Sequence, residues 1–291
     1  MKGNVITVRE VLGLSTKYLE EHGSPSARLD TEVLTALALG IRRLDLYLAP
    51  ERPLAATERE SLRGFLRRRG KGEPVAYITG QREFFGLSFL VSPAVLIPRP
   101  ETEVLVDATL EWLKRCGPSF HSVVDVGTGS GAIACAVAAR NQSVRVAATD
   151  ISHEALTVCR ENVGRLGLED RVRAVHCDLL GGLEPDGSLD VVVSNPPYVA
   201  EGDSVIMDQC VLDFEPRSAL FAGEDGMSVT RRLVEQAGSH LAGGGVLLVE
   251  VGTPDQRDRV VGLLEDHGDF TEVRPLYDAA RIVRGLEARR V

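Results

Sequence analysis

The 291-residue sequence predicts an α/β fold, a seven-stranded Rossmann-like sheet preceded by a small N-terminal helical domain. Three observations predict it. From residue 122 onward, short β-branched runs alternate with amphipathic helical stretches, the pattern of a mainly parallel sheet with right-handed crossovers. A glycine-rich turn, Gly127-Thr128-Gly129-Ser130-Gly131, joins the first of these runs to an apolar helix. The last two runs are separated only by Tyr277 to Ala280, so they should pair as an antiparallel hairpin at a sheet edge.

The elements follow in order. Thr7-x-x-Glu10 is a capping box, and Val8, Val11, Leu12, Leu14, Tyr18 and Leu19 repeat with mainly helical spacing as far as Gly23. Ser24-Pro25 supplies an N-cap and an N1 proline for a second helix, which runs past Leu29, Val33 and Leu37 to Gly40. Thr57-x-x-Glu60 opens a third, with Leu62, Phe65 and Leu66 on one face, closing near Gly70. Residues 1–72 therefore form a helical domain with no candidate nucleophile or metal cluster, suited to substrate docking or to capping. Its basic run, Arg67-Arg68-Arg69-Gly70-Lys71, reads as a solvated helix C-terminus favoured by the macrodipole, or as a contact for an acidic protein or structured RNA.

Residues 73–98 read as a linker of strand character, with a hairpin in Phe84-Phe85-Gly86-Leu87-Ser88-Phe89-Leu90-Val91 that turns at Gly86. Pro98-Arg99-Pro100-Glu101-Thr102-Glu103 then opens the large domain, residues 99–291, with an amphipathic helix through Trp112 and Leu113. Strands are expected near 122–127, 144–149, 171–176, 189–194, 245–250, 271–276 and 281–286, and helices near 131–140, 152–166, 226–241 and 254–267.

Composition narrows the class. Hydrophobic residues make up 44% and charged residues 26%, ordinary for a globular chain that buries a sizeable core. No apolar run reaches the ~18 residues of a spanning helix, so no membrane association is expected. The start, Met-Lys-Gly-Asn-Val, lacks the apolar segment of a secretory signal. Cys116, Cys135, Cys159, Cys177 and Cys210 are scattered and odd in number, which points to reduced thiols in a cytoplasmic protein and to no zinc site. The histidines show no metal-ligand spacing, and His153 and His176 read as packed or exposed. Residues 1–90 carry 14 Lys/Arg against 11 Asp/Glu, so the remainder holds −12 of the net −9, a poor platform for duplex DNA.

The chemistry concentrates in two places. The apolar run Leu189 to Ser194 ends in Asn195-Pro196-Pro197-Tyr198. The prolines fix φ and cannot continue the strand, so they stiffen a turn, leave carbonyls free and present Asn195 beside them. Rigid oxygen acceptors followed by an aromatic face can grip a planar NH2 group. The tetrapeptide resembles the Asn/Asp-Pro-Pro-Tyr/Phe signature of methyltransferases that alkylate amide or exocyclic amino nitrogens. The glycine turn is less decisive. Gly127, Gly129 and Ala132 also fit the dinucleotide fingerprint, and Asp150 stands where an acid would grip ribose hydroxyls for either nicotinamide or S-adenosylmethionine. Asp125, costly to bury alone, favours a cationic ligand. Asp178 and Leu179 could take an adenine amino group and ring, although Asp178 also reads as a cap or turn residue.

Several segments together resemble the bacterial peptide chain release factor glutamine methyltransferases, the HemK/PrmC family, over essentially the whole chain. They are Glu73 to Gly80, Phe84 to Leu87, Val91 to Glu103, Asp125 to Gly131, Asn195 to Tyr198, and Phe214-Glu215-Pro216-Arg217-Ser218-Ala219-Leu220. Ile97-Pro98-Arg99-Pro100-Glu101-Thr102-Glu103 and Glu215-Pro216-Arg217 are the most specific. Phe85, where the family often has tryptophan, and Cys135, in a usually aliphatic helix, depart from it. The resemblance implies the class I S-adenosylmethionine-dependent methyltransferase fold. It also implies methyl transfer to the side-chain nitrogen of the glutamine in the Gly-Gly-Gln loop of class I release factors, with S-adenosyl-L-homocysteine as product. Asn195 and the Pro196 carbonyl would accept the amide hydrogens, with Pro197 beside them, and Tyr198 would pack on the glutamine. Gly127, Thr128, Gly129, Ser130 and Gly131 would hold the methionine moiety, with Asp125 and Asn195 adjoining. Asp150 would hold the ribose, and Asp178 with Leu179 the adenine. A ribosomal-protein glutamine methyltransferase would share this site. A DNA or RNA amino-methyltransferase would bring a basic nucleic-acid surface, which the half carrying −12 does not supply. A nicotinamide oxidoreductase leaves Asn195 to Tyr198 unexplained, and a non-enzymatic binding module leaves the complete site without a purpose.

Overall fold

A computed structural model describes residues 6–206 and 208–291, with only the backbone described at 204–206. The N-terminal segment read above for a secretory signal lies outside the described residues. The chain divides into two compact units, Met1–Gln81 with Asp208–Phe214, and Arg82–Met207 with Glu215–Val291. The boundary at residue 81 falls inside the segment read as a linker.

The first unit is helical: α1 (Val8–Glu21), α2 (Ala27–Leu39), the short α3 (Asp45–Leu48), α4 (Ala56–Arg69) and α5 (Val75–Thr79). The capping box of α1 forms, with Thr7 N–H donating to Glu10 Oε2 at 2.9 Å and Glu10 N–H to Thr7 Oγ1 at 3.3 Å. α2 starts two residues later than Ser24-Pro25 suggests, with Ser26 at the cap. The reason is Asp30, which accepts from both the Ser24 and Ser26 hydroxyls, at 2.7 and 2.8 Å. Likewise Thr57-x-x-Glu60 does not cap α4. Glu58 instead reaches back to the Ala55 N–H at 2.8 Å, so the helix begins at Ala56. Val8, Leu12, Leu19, Leu34, Leu46 and Leu62 are buried at the centre. The basic run is partly internal: Arg69 pairs with Asp30 at 2.7 Å, both nearly buried, and Arg68 pairs with Glu73 at 2.6 Å.

The second unit opens with the hairpin β1 (Gln81–Phe84) and β2 (Leu87–Leu90). Its two-residue turn, Phe85-Gly86, has φ of 51° and 71°, as a primed turn requires. Phe85 tolerates that conformation because its N–H donates to Glu103 Oε1 at 2.8 Å and its carbonyl accepts from Arg140 at 3.1 Å. There follow α6 (Glu103–Cys116), β3 (His121–Val126), α7 (Ala132–Arg140), β4 (Val144–Asp150), α8 (His153–Leu166), β5 (Val172–His176) and β6 (Leu189–Ser194). The one-and-a-half-turn α9 (Gln209–Phe214) packs with the first unit, and α10 (Ser228–His240), β7 (Leu241–Glu250), α11 (Pro254–His267), β8 (Phe270–Tyr277) and β9 (Val283–Arg290) complete the second.

The seven strands lie in the order β5-β4-β3-β6-β7-β9-β8, parallel except where β9 pairs antiparallel with β7 and β8. Successive residues of β3 face opposite sides: Val123 joins a core with α6, α7 and α8, and Val124 one with α10 and α11. β7 begins four residues before its expected start, through Gly243-Gly244-Gly245. A side chain at Gly245 would meet the Asp190 carbonyl at 2.9 Å, so close strand approach explains the glycine there. β9 is shifted towards the C-terminus of its expected span, because its polar end, Arg289 and Arg290, pairs along the edge with Thr271 and Phe270. Among the described residues, no helix is long and apolar enough to cross a membrane.

Candidate active site

After β3 the chain goes to β4 on one side and returns by β6 on the other, so the carboxyl end of β3 is a topological switch point, where open α/β sheets bind ligands. A cavity of about 360 Å³ opens there. Gly127, Thr128, Gly129, Ser130, Asp150, Asp178, Leu179, Asn195, Pro196 and Pro197 all line it, together with residues of two loops, 94–98 and 216–221. Asp125, Gly131 and Tyr198 do not.

Backbone geometry shapes the glycine turn. Gly127 and Gly129 have φ of 69° and 54°, and a Cβ at either would meet open space, so their bare backbone faces room for a ligand. Gly131 serves packing instead: a Cβ there would meet Cys159 Sγ at 2.8 Å. Asp125, 1% exposed, sits beneath the turn. Its Oδ2 accepts from Thr128 Oγ1 at 2.6 Å and from the Ala134 N–H at 3.0 Å, tying strand, turn and α7 together. Its Oδ1 has no partner among the described residues. Burial pushes this carboxyl up to about 6, against the two hydrogen bonds, which favour the charge. Asp150 also braces the turn, accepting from the Gly129 N–H and the Ser152 N–H, each at 2.9 Å. Asp178 holds Arg232 at 2.5 Å, and Leu179 turns through φ 55°, which brings it to the cavity wall.

On the opposite wall, Asn195 Nδ2 donates to Thr102 Oγ1 at 3.2 Å, leaving its Oδ1 as the acceptor. Pro196 is buried beside it. Tyr198 packs on Gly252, past the end of β7, where any side chain would collide with its ring.

Three buried residues beside this site were given no role by the sequence. Glu215, buried, accepts from the Ile97 N–H at 3.1 Å and pairs with Arg99, so the two most family-specific segments are fastened to each other. Asn162, fully buried, donates to the Ser130 carbonyl at 2.9 Å and pairs with the Leu90 backbone, clamping the turn to the hairpin. Glu250, 5% exposed, ends β7 next to the end of β6, and burial pushes its carboxyl up to about 7. For Glu215, its place in the family-specific Glu215-Pro216-Arg217 segment was a signal; for the other two, no local pattern exists.

The fold defines a class I methyltransferase. Similar folds include the human Mettl16 catalytic domain bound to an RNA hairpin, with TM-score 0.58 at 17% identity over 74% of this chain and 80% of that one. Another is the Thermus thermophilus 16S rRNA methyltransferase RsmC with AdoMet and guanosine, with TM-score 0.53 at 21% identity over 72% and 50%. Family models for the PrmC N-terminal domain and the methyltransferase small domain match residues 10–80 and 102–212. Release factor glutamine methyltransferases of Koribacter versatilis and Rhodopirellula baltica are 42% and 40% identical, over 96% and 94% of this chain and 98% and 93% of theirs. The chain belongs to the release factor glutamine methyltransferase family.

Proposed function

We propose that this protein methylates the side-chain amide nitrogen of the glutamine in the Gly-Gly-Gln loop of class I release factors, using S-adenosylmethionine and releasing S-adenosylhomocysteine. The observation that carries this reading is the Asn195 carboxamide, whose NH2 end is anchored on Thr102 so that Oδ1 is free to accept, at the edge of the glycine-turn cavity. Membership of the family supplies the substrate class.

The residues fit the co-substrate. Open space before Gly127 and Gly129 suits its amino-acid portion, Asp150 its ribose hydroxyls, and Leu179 with Asp178 its adenine. Asp125 supports the turn from below. Bound there, S-adenosylmethionine supplies an electrophilic methyl group on a sulfonium. The chain's own task is positioning, because an amide nitrogen is a weak nucleophile whose lone pair is delocalised into the carbonyl. Asn195 Oδ1 and the Pro196 carbonyl accept the two amide hydrogens and so aim the nitrogen for in-line transfer. Tyr198, wedged on Gly252, stiffens the turn that carries both acceptors. The helical unit supplies recognition of the folded substrate.

The test is incubation with methyl-labelled S-adenosylmethionine and purified release factor, ribosomal proteins, DNA and tRNA. Label on the Gly-Gly-Gln glutamine of release factor alone is the expected result. Label on a ribosomal protein or nucleic acid, with none on release factor, overturns the assignment.

A further inference from the structure

α10 reaches the cavity with Val229 and Arg232, and from Arg232 onward one of its faces holds the loop that follows β5. Arg232, Gln236 and His240 are spaced four residues apart, so their side chains stand one above another. Each meets the loop. Arg232 Nη2 donates to Asp178 Oδ2 at 2.5 Å, Gln236 Oε1 accepts from the Leu180 N–H at 2.9 Å, and His240 Nε2 lies 3.4 Å from the Leu183 carbonyl. The loop needs such fastening. Leu179 is held at φ 55°, a strained conformation for a residue with a side chain, and one that persists only where its surroundings enforce it. In that conformation Leu179 lines the cavity, while Leu180 is fully buried in the core that α10 covers.

The first of these three contacts differs from the others. Gln236 and His240 hold backbone, whereas Arg232 holds the side chain of Asp178, and both members of that pair line the cavity. The pair is half exposed at both ends, so it adds little to the stability of the fold. Its effect falls on the carboxylate. A carboxylate has two acceptor oxygens, and engaging Oδ2 leaves Oδ1 to accept from a ligand's N–H. Two consequences compete. The guanidinium draws on the acid's negative charge and weakens it as an acceptor. It also removes the rotamer freedom that the aspartate would otherwise lose on binding. Half exposure settles the balance: solvent already screens the charge, so neutralising it changes less than fixing the side chain does.

We propose that Arg232 is a positioning residue that sets specificity for the co-substrate's base: it fixes Asp178 so that Oδ1 accepts from the amino group of adenine and disfavours a purine with a carbonyl in that place. This rests on Asp178 facing the adenine of S-adenosylmethionine, and it is independent of how the glutamine is gripped. An amino group donates and a carbonyl only accepts, so a fixed carboxylate pairs with one and repels the other.

The experiment measures, by calorimetry on the full chain, the affinities of S-adenosylhomocysteine and of S-inosylhomocysteine, which has a carbonyl in place of the amino group. The proteins are the parent, Arg232→Ala, Arg232→Lys and Asp178→Ala. The parent should prefer the adenosyl ligand, and Asp178→Ala should lose about 10–100-fold of that preference, the scale of a hydrogen bond to a charged group. Arg232→Ala should lose about 3–10-fold, the scale of one side chain left to be ordered on binding, through weaker adenosyl binding alone. Its melting temperature should match the parent's, which a merely structural role would not allow. Arg232→Lys should restore the preference, since a single contact joins Arg232 to Asp178 and an ammonium can make it. If Arg232→Ala weakens both ligands alike, or keeps or exceeds the parental preference, while Asp178→Ala loses it, the role of Arg232 is overturned and the adenine reading stands. A parent without preference, or Asp178→Ala with the parental one, overturns that reading and the proposal with it.

Discussion

Asn195 is where one side chain should matter most. If Asn195 grips the substrate amide as proposed, removing its carboxamide takes away a contact made in the reacting geometry, and Asn195→Ala should lower turnover roughly 10²–10³-fold, by analogy with losing one oxyanion-hole donor. Affinity for S-adenosylhomocysteine, read by calorimetry, should change little. Asn195→Asp keeps an acceptor and should retain part of the activity. Two buried acids set a second prediction. Asp125 and Glu250 hold their protons to about 6 and about 7, against ordinary values of 3.8 and 4.5. Between those values the folded state binds more protons than the unfolded one, so stability falls as pH rises through the window. Each costs on the order of 3 kcal/mol once ionised. Glu250→Gln should therefore raise the melting temperature at pH 8 and leave it nearly unchanged at pH 4. A melting temperature raised equally at both would contradict the argument.

Loops between elements hold the cavity's walls, and each wall has its own fastening. Glu215 joins the loop before α6 to the loop after α9 with one carboxylate, through the Ile97 N–H and Arg99. Replacing it by Leu leaves the buried Ile97 amide unpaired while water reaches the half-buried Arg99, a change that costs about 1–3 kcal/mol, the penalty of a buried group left without its partner. Chemical denaturation should show that loss, and S-adenosylhomocysteine should bind more weakly because Pro216, Ser218 and Ala219 line the same cavity. Gly129→Val should abolish that binding outright. The side chain would enter the open space, and a β-branched residue is strained at φ 54°. Unaltered calorimetric affinity would remove the glycine turn from the site. At the hairpin, much of the sequence's reading is retained in the structure: the turn falls on Phe85-Gly86. What could not be read was why phenylalanine is tolerated there, since Glu103 and Arg140 come from remote helices.

Taken as a whole, the protein joins a catalytic unit to a helical one, and the substrate reading needs both. A single glutamine side chain offers few handles, so binding energy from remote surface must hold the loop in place. Deleting residues 1–70 should leave S-adenosylhomocysteine binding intact and severely reduce methylation of intact release factor, measured by label incorporation. A short Gly-Gly-Gln peptide should be a poor substrate for both forms. Equal methylation of whole release factor by the truncated and full chains would reduce the helical unit to a cap. The basic run is a smaller part of that surface than its sequence suggests, because Arg68 and Arg69 are spent on Glu73 and Asp30.

The sequence alone determined the alternation of strands and helices, the glycine turn and the Asn195-Pro196-Pro197 corner, because period, φ restriction and hydrogen-bonding capacity are local properties of the chain. The ends of elements were less secure: Asp30 moved the start of α2, and β7 begins at Leu241, four residues before its expected start. Only the tertiary structure decided which acids face the cavity and which lie beneath it. Asp125 turned to Thr128 and Ala134, Asp178 to Arg232, and Glu215 to Ile97 and Arg99, across separations of 3 to 118 residues. A carboxylate's partner depends on what folding brings within about 3 Å of it, and no spacing along the chain encodes that.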